Sequence, residues 1–206
     1  MRLSIASLCL MIAFQLNAQE PQPRLAIRYS PLHLAYQDPT VQFQLEKFRT
    51  PQHSWTASLG LGHETLFKDR NIQGTLQTKL GVKKYLKPFS TEKKNNFFLG
   101  LEGMYRYSLE RQTGFFAMQD NSSFDFKLRL HAVAGHLMMG WTLLNPHAPS
   151  LDFYFGAGIR HIRGKNIGID PNLMFEQKIT LSTRNSGNIT YFSPLLGICI
   201  GISHWK

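Results

Sequence analysis

Carboxylates at Glu46, Glu102, Glu110, Asp125 and Asp152 and cations at Lys79, Arg106, Lys127, Arg129 and Arg160 each fall in a stretch that alternates apolar and polar residues. In an extended chain such spacing gathers the charges on one face. Three chemistries are open to charges so gathered: a paired network inside a closed fold, a gate for small ions, or a catalytic carboxylate group. Metal chemistry has less to stand on. The eight histidines are scattered, and His131/His136 and His161/Arg163 have no recognised ligand spacing, so no metal is expected. Gly156-Ala-Gly158 has the look of a phosphate loop but lies inside an alternating run and opens no helix, so no cofactor is expected either. Asn121-Ser-Ser and Asn188-Ile-Thr match the glycosylation sequon, a pattern frequent by chance.

The elements that must position these residues are strands. Val41, Phe43 and Leu45 alternate with Gln42, Gln44 and Glu46; Trp55, Ala57, Leu59 and Leu61 alternate with Thr56, Ser58, Gly60 and Gly62. Ile72, Leu76, Leu80 and Val82 oppose Gln73, Thr75, Gln77, Lys79 and Lys83, and Phe97 to Leu109 opposes Glu102, Arg106, Ser108 and Glu110. Phe124, Phe126, Leu128 and Leu130 oppose Asp125, Lys127, Arg129 and His131; Leu151 to Ile159 opposes Asp152, Tyr154 and Arg160; Phe192 to Ile202 opposes Ser193, Gly197, Gly201 and Ser203. With an opening run carrying Leu25, Ile27 and Tyr29, the count is eight. Apolar parity switches at Pro31, giving Leu32 and Leu34, and again before Leu137, Met139, Trp141 and Leu143. Bulges at Pro31 and near Gly135 would keep each apolar set on one face.

Period two fits a membrane barrel with a polar lumen and equally a soluble, lipocalin-like barrel with an apolar interior. Three features favour the membrane. Arg2, the apolar stretch Leu3 to Phe14 and Leu16-Asn17-Ala18 read as a signal peptide over residues 1–18, leaving a single domain over 19–206. Connections at Thr50 to Ser54, Lys87 to Asn95 and Asn145 to Ser150 are short and periplasmic in this topology; His63 to Asn71, Gln112 to Ser123 and Gly164 to Asn188 are longer and external. Aromatic residues then cluster at both strand ends: Trp55, Tyr85, Phe97, Trp141, Phe153 and Trp205 at one, Tyr107, Phe124, Phe126, Tyr191 and Phe192 at the other. Cys199 is the only cysteine after residue 18, which excludes an internal disulfide. Lys and Arg total 23 against 13 Asp and Glu, and for an exported chain such an excess points first to a solvated basic surface and next to anionic lipopolysaccharide or surface glycan, ahead of nucleic acid.

The Asn17-Ala18-Gln19 signal end, Gly81-Val-Lys-Lys-Tyr85-Leu-Lys-Pro88-Phe89 followed by Phe97-Phe-Leu-Gly-Leu-Glu-Gly103, and the closing Leu196-Gly-Ile-Cys-Ile-Gly-Ile202 resemble small Bacteroidota outer-membrane proteins of uncharacterised function, of the OmpA/OmpX eight-stranded type. The likeness extends over most of residues 19–206 and is one of pattern. It implies an all-β, eight-stranded antiparallel up-and-down transmembrane β-barrel in the outer membrane of a Gram-negative bacterium, inserted there by the assembly machinery. It implies no activity. Such barrels usually end on an aromatic residue, whereas Trp205 is followed here by Lys206.

Side chains fill the interior of an eight-stranded barrel, and buried charges persist only when paired. The expectation for Glu46, Lys79, Glu102, Arg106, Asp125, Arg129, Asp152 and Arg160 is therefore a lumen salt-bridge network. A lipid A-modifying enzyme is the alternative, along with a narrow pore or small-ligand carrier. A deacylase of that kind would carry His and Ser two residues apart on a strand, and no His-x-Ser occurs. His53-Ser54 and Ser203-His204 fall at the periplasmic end, and His63-Glu64 and His161 at the external rim have no serine beside them in this register. The expected role is non-enzymatic, structural or in surface interaction. Phe175 to Thr183 alternates and reads as a β-excursion above the membrane, or else as a ninth strand. Arg111, Arg163, Lys165, Lys178 and Arg184 at the external rim are candidates to contact lipopolysaccharide phosphates.

Overall fold

The computed structural model describes residues 22–31, 40–63, 72–90, 94–116, 123–146, 148–168, 175–177 and 187–205. Its strands are β1 (Pro23–Tyr29), β2 (Val41–Thr50), β3 (His53–His63), β4 (Ile72–Tyr85), β5 (Asn95–Phe116), β6 (Ser123–Leu143), β7 (Ser150–Ile167), β8 (Phe175–Gln177) and β9 (Gly187–Trp205). All pairings are antiparallel, each of β1 to β6 pairs with the next, β7 pairs with β9, and β9 returns to β1. Eight strands thus form a closed ring, each paired on both sides over part of its length, the arrangement that satisfies backbone groups there without help from solvent.

Phe175–Gln177 is not a barrel strand. It pairs with Gly114–Phe116 of β5, on the edge that β4 leaves open beyond its last pair, Ile72 with Glu110. This agrees with an excursion and rules out a ninth barrel strand; residues 178–183 lie outside the described residues.

The ring has two unlike ends. The turn end carries the 51–52, 86–94 and 144–149 connections. There Thr50 Oγ1 accepts hydrogen bonds from the backbone of Gln52 and His53 at 3.3 and 3.1 Å. The Asn96 side chain binds the Lys87 backbone N–H and carbonyl. The loop end carries the remaining connections, and the strands rise unevenly toward it. β2 and β3 have 10 and 11 residues, against 22, 21, 18 and 19 in β5, β6, β7 and β9. The tall strands stand as a wing above the short ones. Two expected loops are consequently shorter: 112–116 and 123 belong to strands, as do 164–167 and 187–188.

Inside and outside alternate along the body of each ring strand. Phe43, Leu45, Trp55, Leu59, Leu80, Leu101, Leu137, Phe155, Ile159 and Phe192 point outward, Leu80 with 70% of its surface exposed and Phe192 with 68%. Arg28, Gln42, Gln44, Glu46, Thr56, Lys79, Lys83, Glu102, Arg106 and Asp152 point inward and are buried. Phe97, Trp141 and Phe153 are cross-strand neighbours in one outward row near the turn end.

Three expectations are corrected here. No bulge occurs at Gly135: the β5/β6 and β6/β7 registers run through it unshifted. The irregularities lie instead between Pro23 and Leu25, Phe48 and Thr50, and Ile72 and Gly74. With even parity held along all of β6, Phe126, Leu128 and Leu130 face inward and are buried. Asp125, Lys127 and Arg129 must then face outward, and all three are exposed. Tyr85 and Phe126 are likewise interior, not members of an outer girdle. Leu32 and Leu34, on which the bulge at Pro31 rested, lie outside the described residues.

Candidate functional site

The interior charges divide into two tiers. Near the turn end, Arg28 of β1, Glu46 of β2, Lys83 of β4 and Asp152 of β7 form a closed cycle. Arg28 pairs with Glu46, Lys83 pairs with Asp152, and the two cross-pairs, Arg28–Asp152 and Lys83–Glu46, are both 3.4 Å. Two cations face two carboxylates, so the cluster is neutral. Ser54 and Tyr85 donate to Glu46, Tyr85 at 2.6 Å, and Thr142 donates to Asp152. Lys83 Nζ also stands 4.4 Å from the centre of the Phe98 ring, within cation–π range.

Beneath this knot Phe48, Tyr85, Phe89 and Phe98 stack and abut as an aromatic floor, with Tyr85 and Phe89 centroids 4.7 Å apart. Tyr154, Leu195 and Cys199 belong to the same buried cluster, with Trp205 packed against it. Glu46 is 0% exposed and Arg28 1%; water does not reach them from either side.

The second tier lies nearer the loop end, as the inward order Phe98, Glu102, Arg106 along β5 requires. Lys79 Nζ is 3.3 Å from Glu102 Oε1, and His136 Nδ1 is 4.0 Å from the same oxygen. His136 Nε2 and Ser193 Oγ share a hydrogen bond of 3.1 Å. His136 and Ser193 sit on β6 and β9, with β7 between them. They meet because Gly158, the cross-strand partner of both, has no side chain. Serine, imidazole and carboxylate in that order are the residue types of an acyl-transfer triad. The geometry does not fit. The 4.0 Å gap exceeds a hydrogen bond, the carboxylate is held by Lys79, and Ser193 is 2% exposed. Higher still, Thr75 donates to Ser108 at 3.2 Å, Gln77 to Gln42 at 3.3 Å and Arg106 to Ser108 at 3.1 Å.

Glycines in the wall make room for this filling. A Cβ on Gly197 would stand 2.0 Å from Tyr154 Cζ, whereas one on Gly135 would meet nothing within 4 Å. Gly197→Val should therefore displace Tyr154 from the buried cluster and cost about 1–3 kcal/mol or more, the range for overpacking. Gly135→Ala should be near neutral. Denaturant unfolding of the two variants beside the parent checks both.

Of the expected network, Glu46 and Asp152 join one tier and Lys79 and Glu102 the other; Arg106 and Arg160 also face the lumen, with Arg160 Nη1 3.5 Å from Tyr191 Oη. Asp125 and Arg129 belong to the outer face instead. Missing from the expectation were Arg28 and Lys83, the cations that complete the lower knot. Arg28 shares parity with Ala26 opposite Leu25, Ile27 and Tyr29, and Lys83 was already on the polar face; parity alone could have found both.

At the loop end Arg111, Arg163 and Lys165 are exposed; Lys178 and Arg184 lie outside the described residues. His131 and His161 are exposed or half-exposed on the same outer face, bound to Tyr105 Oη at 2.9 Å and Thr190 Oγ1 at 2.8 Å. Among the described residues no group of three His, Cys, Asp or Glu side chains is placed to hold a metal. No protein-family model, curated protein or solved structure matches the chain, so its function is argued from this geometry.

Proposed function

We propose that this chain is an outer-membrane β-barrel of a Gram-negative bacterium, exported with residues 1–18 as its signal and acting as a non-enzymatic structural or surface-interaction protein. The observation that carries the reading is the inversion of polarity across the wall. Large apolar side chains such as Leu80, Ile159 and Phe192 face outward while Arg28, Glu46, Lys83 and Asp152 are sealed within. A soluble barrel places these classes the other way round, because exposing a continuous apolar belt to water is unfavourable. Lipid removes that penalty, and ring closure pairs the backbone of neighbouring strands within the circuit. In this topology the turn end faces the periplasm and the loop end the cell exterior, where outer-membrane lipid, including lipopolysaccharide, is the partner at hand.

Folding into phospholipid vesicles followed by electrophoresis without and with boiling tests the reading. The unboiled protein should migrate apart from the boiled one and stay with the vesicles after an alkaline wash. Protein recovered as a soluble monomer with unchanged mobility would rule the reading out. In planar bilayers the same preparation should show no steady conductance, since the neutral knot and aromatic floor close the lumen; porin-sized steps would contradict the sealed interior.

A further inference from the structure

The outward face of the wing carries a cationic ladder that no partner among the described residues neutralises. In register across β5, β6 and β7, Arg111 stands beside Lys127, Leu109 beside Arg129 beside Lys165, and Tyr107 beside His131 beside Arg163. Their side chains share one face, and Arg111, Lys127, Arg129, Arg163 and Lys165 are all exposed. Among the described residues none of these five has a hydrogen-bond or ion-pair partner. Asp125 is the one acidic side chain described on that face. Like charges directly opposite on neighbouring strands are only about 4.5–5.5 Å apart at Cβ and destabilise a sheet. Rows pairing Arg111 with Lys127 and Arg129 with Lys165 therefore call for an external anion.

The next rows toward the turn end identify which kind. Tyr105, Val133 and His161 come first, then Gly103, Gly135, Ile159 and Phe192, with Val133, Ile159 and Phe192 strongly exposed. The ladder thus stands directly on the apolar belt, at the level where a lipid whose chains cover the belt presents its headgroup. We propose that Arg129, Arg163 and Lys165, flanked by Arg111 and Lys127, bind the phosphorylated headgroup of a membrane glycolipid of the lipid A class. Arginine engages a phosphate through paired donors, and lysine adds a compact charge. This inference rests on the membrane reading above and assigns it a lipid. It also shifts the contact expected from sequence: Arg129, assigned there to the lumen network, and Lys127, placed there on the polar face, are part of it.

The test uses the full chain folded in neutral detergent micelles, doped with bisphosphorylated lipid A, with its dephosphorylated form, or with inorganic pyrophosphate. Retained lipid is counted by native mass spectrometry. The parent should hold bisphosphorylated lipid A, and Arg129→Gln/Arg163→Gln/Lys165→Gln should hold at least about tenfold less, each cation near an anionic surface contributing on the order of fivefold. A control removing outward cations at the turn end, Lys47→Gln/Arg49→Gln/Lys84→Gln, should retain the parental level. Pyrophosphate should compete weakly, because it lacks chains to lie on the belt. Equal retention by the loop-end variant and the parent, or of the two lipid A forms, would overturn the assignment; so would pyrophosphate binding as tight as the lipid. Vesicle insertion measured on the same protein separates the two levels. Failure to insert removes the membrane reading and the lipid site together, whereas insertion without phosphate discrimination removes the site alone.

Discussion

Replacing Glu46 with alanine should lower stability by about 3–5 kcal/mol, the cost of removing one partner from a buried ionic cluster. Glu46 accepts from Arg28, Ser54 and Tyr85 and faces Lys83 at 3.4 Å. Its loss leaves two buried cations before a single carboxylate, Asp152, and leaves the hydroxyls of Ser54 and Tyr85 without their acceptor. Tyr85→Phe, which deletes one bond to a charged group and keeps the ring in the floor, should cost less, about 1.5–3 kcal/mol. The double variant Glu46→Leu/Lys83→Met removes one charge of each sign and leaves Arg28 with Asp152. It should be more stable than Glu46→Ala, with a coupling between the two sites of about 0.5–3 kcal/mol. The midpoint of guanidinium unfolding in vesicles reads all three. A Glu46→Ala protein as stable as the parent would mean that the knot is hydrated and the lumen open.

Such a cluster is legible in sequence up to a point, and β6 marks where legibility ends. Alternation assigns faces, but the label attached to each face comes from a second assumption, that apolar means outward. Over the middle of the barrel that assumption holds: Phe43, Leu45, Leu80 and Leu101 are outside and Gln42, Glu46, Lys79 and Glu102 inside. In β6 it reverses partway. Leu137 and Met139 are outside, yet so are Asp125, Lys127 and Arg129, while Phe126, Leu128 and Leu130 are inside and buried. The strand rises past the apolar belt, and there its outward side chains are charged and its inward ones apolar. A reader of the sequence sees a parity switch and infers a bulge near Gly135; the backbone is regular and it is the surroundings that change. The two tiers had a different obstacle. Which inward charges meet depends on the stagger of strands far apart in sequence, such as Lys83 with Asp152, and on gaps like Gly158 that let His136 reach Ser193. Local pattern carries neither.

Placing a lysine in the middle of the outer belt distinguishes a lipid-covered barrel from a water-soluble one by the sign and depth of its effect. Leu80 lies in an outward row with Ala57, Gly103, Gly135 and Ile159, between the aromatic row at Phe97 and the cationic ladder. In a bilayer Leu80→Lys should cost about 2–4 kcal/mol, the penalty for a cation facing lipid near the midplane. Leu86, 62% exposed just past the turn-end limit of β4, meets the interface or water instead, and Leu86→Lys should cost only about 0–1 kcal/mol. Were the outer face in water, both leucines would be exposed surface residues, and either lysine would fall within about 0.5 kcal/mol of the parent. Urea unfolding in phosphatidylcholine vesicles, followed by tryptophan fluorescence, separates the two patterns. A steep loss at Leu80 with little at Leu86 is what a chain standing in the bilayer requires; two small and equal changes would place this barrel in water, and the apolar belt would then need a protein partner to cover it.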